Sequence, residues 1–302
     1  MRKGQRFTPQ RLRAWQERGR GLGSLQDYEP WHQVTRSDPG SRGRSHLING
    51  RFNRLHHLLS DRELVAFGFA TMLPALCDLR EQYPLPTEDQ PAEDSTSLSP
   101  ACATWVQGTQ SIAAELKIKH PVVRQGMDVA TWIMTTDLLL SLVLPNGRRE
   151  LLAVSVKGTD ELESDRKLQL LQLEREYWRR RGVEWLLLTQ SLYDELAALA
   201  IRAGLVWSLG QPPVEATQLA ACARIAPSFQ GLDLNSSLLR IESMLGVDRP
   251  LAQAVFWQSV WRGETPIALA KAIRPSLKLD LLPAPEFWKQ NPLAARRTAW
   301  LR

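Results

Sequence analysis

Residues 135–158 read TTDLLLSLVLPNGRRELLAVSVKG, and this stretch restricts the fold more than any other. Two apolar runs of strand length are joined by Pro-Asn-Gly-Arg-Arg, the composition of a hairpin connection. The pattern predicts antiparallel strands near 137–144 and 150–157, too apolar to stand in water and so part of a buried sheet. Charges sit only at the open end, where Asp137 begins the first run and Lys157 closes the second. Side chains alternate along a strand, which puts Ser155 and Lys157 on one face and Val154 and Val156 on the other. Pairing 137 near 157 would set an acid beside a lysine. On the hairpin alone, a cross-strand ion pair that merely ends a sheet accounts for this more readily than a functional pair does.

The flanking pattern supplies the partners such a sheet requires. A helix is expected from near Ser60, a strand over 75–85 and a polar, turn-rich loop over 86–111. A short helix at 111–117 follows, then after the hairpin a long helix over roughly 163–181 stopped by Gly182, and a buried strand over 183–189. Beyond residue 190 the pattern becomes helices separated by loops, with room for one small hairpin, which suits a winged helix. A chain of 302 residues has a natural prior of about two domains. The expected division is a basic leader over 1–45, an α/β domain over 46–195 and a helical, winged-helix-like domain over 196–302.

Charge is uneven along the chain. Of the net +6, the excess concentrates in the leader, where Arg2, Lys3, Arg6, Arg11, Arg13, Arg18, Arg20, Arg36, Arg42 and Arg44 face only Glu17, Asp27, Glu29 and Asp38. Such a segment suits an arm along phosphates, or equally a solvated leader. The GRGLG at 19–23 lacks the GxGxxG spacing and reads as a flexible joint. No apolar run approaches a membrane span and the N-terminus has no signal-peptide stretch, so a cytoplasmic protein without membrane contact is expected. Cys77, Cys102 and Cys222 match no zinc or disulfide spacing and are expected to pack.

Two glutamates draw notice. Glu174 has Leu170 and Leu171 before it and Tyr177 and Trp178 after it on one helical face, so a carboxylate faces the core. Unpaired, it would cost several kcal/mol, and it needs a cation, a metal or hydrogen bonds; Lys167 and Lys157 are the structural alternatives. Glu63 follows Ser60 with capping-box spacing, and locally that role suffices. His56 and His57 are adjacent and would point apart in a strand, while His32, which looks exposed, His46 and His120 give no ligand spacing.

A glutamate on a first helix, an aspartate opening one strand and a lysine closing the next resemble the restriction-endonuclease-like nuclease core, a mixed central sheet flanked by helices. More closely, DYEPW, GRSH, HHLLSDRELVAF, DLREQYPL, IKHPV, TTDLLL, VSVKG and KLQLLQLEREYW, in this order over about 19–190, resemble the TnsA family, the endonuclease subunit of heteromeric bacterial cut-and-paste transposons. The resemblance implies catalytic positions at Glu63, Asp137 and Lys157, with Glu174 at a further glutamate close to them. It implies Mg²⁺, with Glu63, Asp137 and the Ser155 position on the metal side, serine standing where glutamine is usual. It implies cleavage of the 5′, non-transferred strand of transposon-end DNA. The implied partners are a DDE transposase of the TnsB type, a AAA+ ATPase regulator of the TnsC type and a target selector or RNA-guided complex. A stand-alone restriction-like or junction-resolving nuclease, and a non-catalytic DNA-binding adaptor, are the alternatives.

Overall fold

The computed structural model describes residues 7–36, 38, 44–91, 105–209, 212–272 and 274–300. In chain order the elements are α1 (Pro9–Glu17), β1 (His46–Asn49), β2 (Leu55–Leu58), α2 (Asp61–Thr71), β3 (Leu76–Pro84), β4 (Gln90–Pro91), β5 (Trp105–Val106) and α3 (Thr109–Glu115). They continue with β6 (Val122–Gln125), β7 (Asp128–Thr131), β8 (Thr135–Val143), β9 (Arg149–Val156), α4 (Asp165–Arg180) and β10 (Glu184–Leu188). The last are α5 (Glu195–Ser208), α6 (Ala216–Ile225), α7 (Leu234–Leu245), α8 (Arg249–Trp261), α9 (Leu269–Ala272) and α10 (Ala284–Lys289). Among the described residues no helix is long and apolar enough to cross a membrane.

The chain divides into two compact units that do not follow sequence order. The first comprises 1–48, 56–60 and 77–187, and the second comprises 49–55, 61–76 and 188–302. The units differ from the contiguous division expected above in that the second begins near 188 and also takes α2 from the N-terminal half. Burial pattern explains why. Glu63 through Thr71 are all buried, and such a helix needs apolar neighbours on every side.

The first unit is built on a sheet in the order β10-β9-β8-β3. β8 and β9 are antiparallel, with Leu138 opposite Val154 and Val143 opposite Arg149. β9 reaches its neighbour β10 through α4, the crossover that parallel neighbours require, so the sheet is mixed. Leu138, Leu140, Leu152 and Val154 are fully buried, each worth about 1.5–3 kcal/mol of apolar transfer. On α4 the buried stripe is Leu171, Leu173, Glu174, Tyr177 and Trp178. Ser164 caps its start, accepting the Lys167 amide.

The leader is no free arm in its described part. α1 starts at Pro9, with the Thr8 hydroxyl accepting the Arg11 amide. Its Leu12 and Trp15 bury against Trp31 and Ile133, with Phe7 and Trp132 alongside. Arg20, only 6% exposed, donates to Asp38 Oδ2 at 2.7 Å and to the Trp31 carbonyl at 3.2 Å, and its guanidinium lies 4.5 Å from the Trp15 ring centre. A basic residue placed this way is part of a core. Arg2, Lys3, Arg6 and Arg42, with Cys102, lie outside the described residues.

Nor is GRGLG a flexible joint. Gly21 has φ of 85°, and a Cβ there would come within 2.2 Å of Pro84 Cγ; at Gly23, with φ of 89°, it would meet the Asp27 carbonyl at 2.3 Å. Glycine is required at both because the turn is pressed against β3 and against itself. The exposed His32 expected from sequence is likewise corrected. It is partly buried, its ring stacked on Trp132 with centroids 5.6 Å apart, and desolvation, against the pull of Asp38, lowers its pKa to about 4.

Three further histidines, His56, His57 and His120, have partners within the fold. His56 Nδ1 lies 3.1 Å from Glu81 Oε2, both residues fully buried, and His57 Nδ1 accepts the Val34 amide. His120 Nε2 lies 2.9 Å from Thr109 Oγ1. A further departure is the β6–β7 hairpin, where the sequence pattern offered only a connection.

The second unit is helical, as expected. α8 is its centre, with Val255, Phe256 and Val260 fully buried. Two glycines permit close packing: a Cβ at Gly68 of α2 would meet Ile201 of α5 at 2.2 Å, and one at Gly204 of α5 would meet Trp257 of α8 at 2.5 Å. Trp261 Nε1 donates to Thr71 Oγ1, and Asn291 Nδ2 to the Phe69 carbonyl. Beyond residue 190, among the described residues, strand pairing is limited to single bridges, Asp233 with Lys278 and Ile267 with Leu281.

Candidate active site

The site begins where the β8–β9 ladder stops. Its last pair is Leu138 with Val154, so continuing the register would set Asp137 opposite Ser155, two residues short of the pairing with 157 that the sequence suggested. The side chain closes the gap. Asp137 Oδ2 accepts the Val156 amide at 2.6 Å and Lys157 Nζ at 2.5 Å, while Nζ also donates to the Val156 carbonyl at 3.1 Å. A carboxylate thus replaces the next ladder bond and fixes the lysine beside it. Charge-assisted bonds of this length in a nearly buried pocket are strong. Asp137 Oδ1 receives no donor from the described residues.

Glu174 enters from α4 and is 4% exposed. Its Oε1 accepts Ser155 Oγ at 2.5 Å and Thr136 Oγ1 at 2.7 Å. Each hydroxyl is held in turn by an indole: Trp185 Nε1 donates to Ser155 Oγ at 2.9 Å and Trp178 Nε1 to Thr136 Oγ1 at 2.7 Å. Two tryptophan–hydroxyl arms therefore converge on one oxygen, and Oε2 is left with no donor among the described residues. The Ser155 hydroxyl is fully buried, donates to Glu174 and accepts from Trp185. In this arrangement it orients the glutamate.

Burial raises the Glu174 pKa, opposed by the Lys157 charge, reinforced by Asp137 and opposed again by the two hydroxyls. Lys167, an alternative partner from sequence, instead pairs with Glu161 at 3.0 Å. The sign of the pH effect follows. The fold retains a proton that the unfolded chain releases near 4.5, so ionised Glu174 costs stability as pH rises through and above that value. Glu174→Gln, which keeps an Oε1 acceptor for both hydroxyls, is therefore more stable than the parent at neutral pH, by about 1.4 kcal/mol for each unit of displacement. The gap closes below the carboxylate range. Denaturant midpoints measured across pH 4–8 check this, and a gap that widens on acidification contradicts it.

Asp137, Lys157 and Glu174 line a cleft of about 770 Å³ together with Phe7, Trp132 and Leu171. Glu63 lies in the first turn of α2, in the other unit, and is 7% exposed. Sequence reasoning missed Thr136, Trp178 and Trp185 as site residues. Only Thr136, adjacent to Asp137, carried a signal. Among the described residues no three His, Cys, Asp or Glu side chains form a ready ligand group. The open oxygens of Asp137 and Glu174 nevertheless suit a hard divalent cation in kind, since such ions take carboxylate oxygen.

Residues 78–190 match the TnsA-like endonuclease N-terminal domain. Over these residues the chain is similar to TnsA-like endonucleases. The matched span holds Asp137, Ser155, Lys157 and Glu174 and leaves Glu63 outside it. The transposon Tn7 transposition protein TnsA of Escherichia coli is 37% identical over 172 residues, covering 57% of this chain and 53% of the relative. The chain thus spans about half the length of the curated relative it matches.

Proposed function

We propose that this chain is the Mg²⁺-dependent endonuclease subunit of a heteromeric cut-and-paste transposase, cutting the 5′, non-transferred strand at transposon ends. The observation that carries this reading is the Asp137–Lys157 pair beside a buried, hydroxyl-pinned Glu174 in one cleft, inside the segment that matches the TnsA-like endonuclease domain.

When bound, Mg²⁺ would neutralise charge on the scissile phosphate and aid ionisation of the attacking water. Asp137 Oδ1 and Glu174 Oε2 would hold the cation, with Glu63 assigned as a further ligand from the family pattern alone. Ser155 and Thr136 keep Glu174 in one rotamer, so little ordering remains when the cation arrives. Lys157, positioned by Asp137, holds the water and sets its charge against the phosphate. The helical second unit is the proposed contact for a AAA+ ATPase regulator, and a DDE transposase would cut and join the 3′ ends. A target selector or RNA-guided complex completes the proposed assembly.

The test is reconstitution with that transposase on DNA labelled separately on each strand. Omission of this chain, or addition of a chelator that is then titrated back with Mg²⁺, is expected to remove and restore 5′-strand cutting. Transposase-only cutting of both strands would overturn the assignment.

A further inference from the structure

We propose that the β6–β7 ribbon is a DNA-deforming element, lying in the minor groove beside the scissile phosphate with Met127 wedged between base pairs. The proposal rests on the nuclease reading and adds how the duplex is held.

The ribbon is short and sharply turned. Gln125 pairs with Asp128, leaving Gly126 and Met127 as a two-residue loop. Gly126 has φ of 60° and Met127 does not have positive φ, the combination of a type II′ turn. Register then sorts the faces. Val123 pairs with Ala130, and both pack on the cluster of Leu12, Trp15, Trp31 and Ile133. The opposite face carries Val122 with Thr131 and Arg124 with Val129. Val122 is 41% exposed, Val129 43% and Met127 at the tip 101%.

Single exposed apolar residues are ordinary; position distinguishes these. The ribbon is braced, because α1 packs along it and Arg13 holds Asp128 through both carboxylate oxygens, at 2.6 and 3.4 Å. That contact neutralises the ribbon's acid. Arg124 has no hydrogen-bond or ion-pair partner among the described residues, so the outer face carries an unpaired cation and no carboxylate. Val122, Val123 and Arg124 also line the cleft that contains Asp137 and Lys157. The ribbon is thus one wall of the proposed catalytic cleft.

A rigid cationic strand pair with an apolar tip matches duplex DNA. Such elements enter the minor groove, and methionine is among the side chains that wedge and unstack base steps there. Deformation at that point would present one strand's phosphate to the cleft.

The experiment places p-benzoylphenylalanine, in separate full-length variants, at Met127, at Lys167 on the same cleft, and at Leu22 as an exposed control. Each is irradiated with random-sequence duplex DNA. The proposal expects DNA adducts at 127 and 167 and none above background at 22, with the 127 adducts mapping to bases. In parallel, 2-aminopurine in the duplex brightens on binding, and Met127→Ala loses that increase while still binding. Arg124→Ala weakens binding evenly across sequences and lowers the salt slope by about 1. Adducts at 167 without adducts at 127 overturn the ribbon's role and leave the nuclease reading intact. Absence at both positions overturns the nuclease reading itself. Adducts at 127 that join a protein rather than DNA also overturn the ribbon's role.

Discussion

Lys157→Met lowers 5′-strand cleavage by about 10²–10⁴-fold, the range typical of losing a positioned proton-handling group. Methionine keeps the stem that lies over the end of β9 and removes only the ammonium. Asp137→Ala falls at least as far, since Asp137 Oδ2 anchors both Lys157 Nζ and the Val156 amide and Oδ1 is the open oxygen. Neither residue lies in the apolar centre of the sheet, so both variants fold, which amide hydrogen exchange over β8 and β9 can verify. DNA association, measured by anisotropy, changes little in Asp137→Ala, which removes a negative charge near the phosphate path. Single-turnover cleavage on strand-labelled ends is the deciding measurement. Parental rates in either variant would remove both residues from the chemistry.

Arg20→Ala destabilises the first unit by about 3–5 kcal/mol, the usual cost of leaving one member of a buried ion pair without the other. The side chains of Arg20 and Asp38 are only 5% and 6% exposed, and the same guanidinium covers Trp15 and donates to the Trp31 carbonyl. Removing it strands a carboxylate and opens the leader's packing at once. The double variant Arg20→Met with Asp38→Leu is expected to recover most of the loss, because an apolar pair of similar volume needs no compensating charge. Guanidinium unfolding monitored by tryptophan fluorescence, with hydrogen exchange at α1, reports both. A change within about 0.5 kcal/mol for Arg20→Ala, as at an ordinary surface site, would mean that the leader is not part of the core.

That second result bears on what could be read in advance. Ten basic residues in the first 45 looked like an arm, yet Arg20 is a core residue and Arg13 braces a hairpin. Composition counts charges but cannot say which carboxylate each will meet. Asp38 is close in sequence and Asp128 is 115 residues away. The compact units interleave along the chain for a related reason. From Glu63 onward α2 is buried on every side, and no local pattern states which helices will surround it.

Asp137 and Lys157 were legible because strand alternation and a hairpin turn are local, and a charge ending an apolar run stands out against them. Glu174 was legible as a carboxylate on an apolar helical face, for the same reason. Its partners were not. Thr136 and Ser155 come from two strands, while Trp178 and Trp185 come from α4 and β10, and their convergence on one oxygen exists only after the sheet is closed and α4 is laid on it. The sequence by itself determined the central strands, the long helices, their order and which of their faces are apolar, but not α1 or the β6–β7 hairpin, since the former follow from backbone periodicity and side-chain transfer from water. Tertiary structure alone decided that Ser155 serves Glu174, that the ladder ends at Leu138 and that a side chain continues it, because hydrogen bonds are directional and short and depend on where distant segments come to rest.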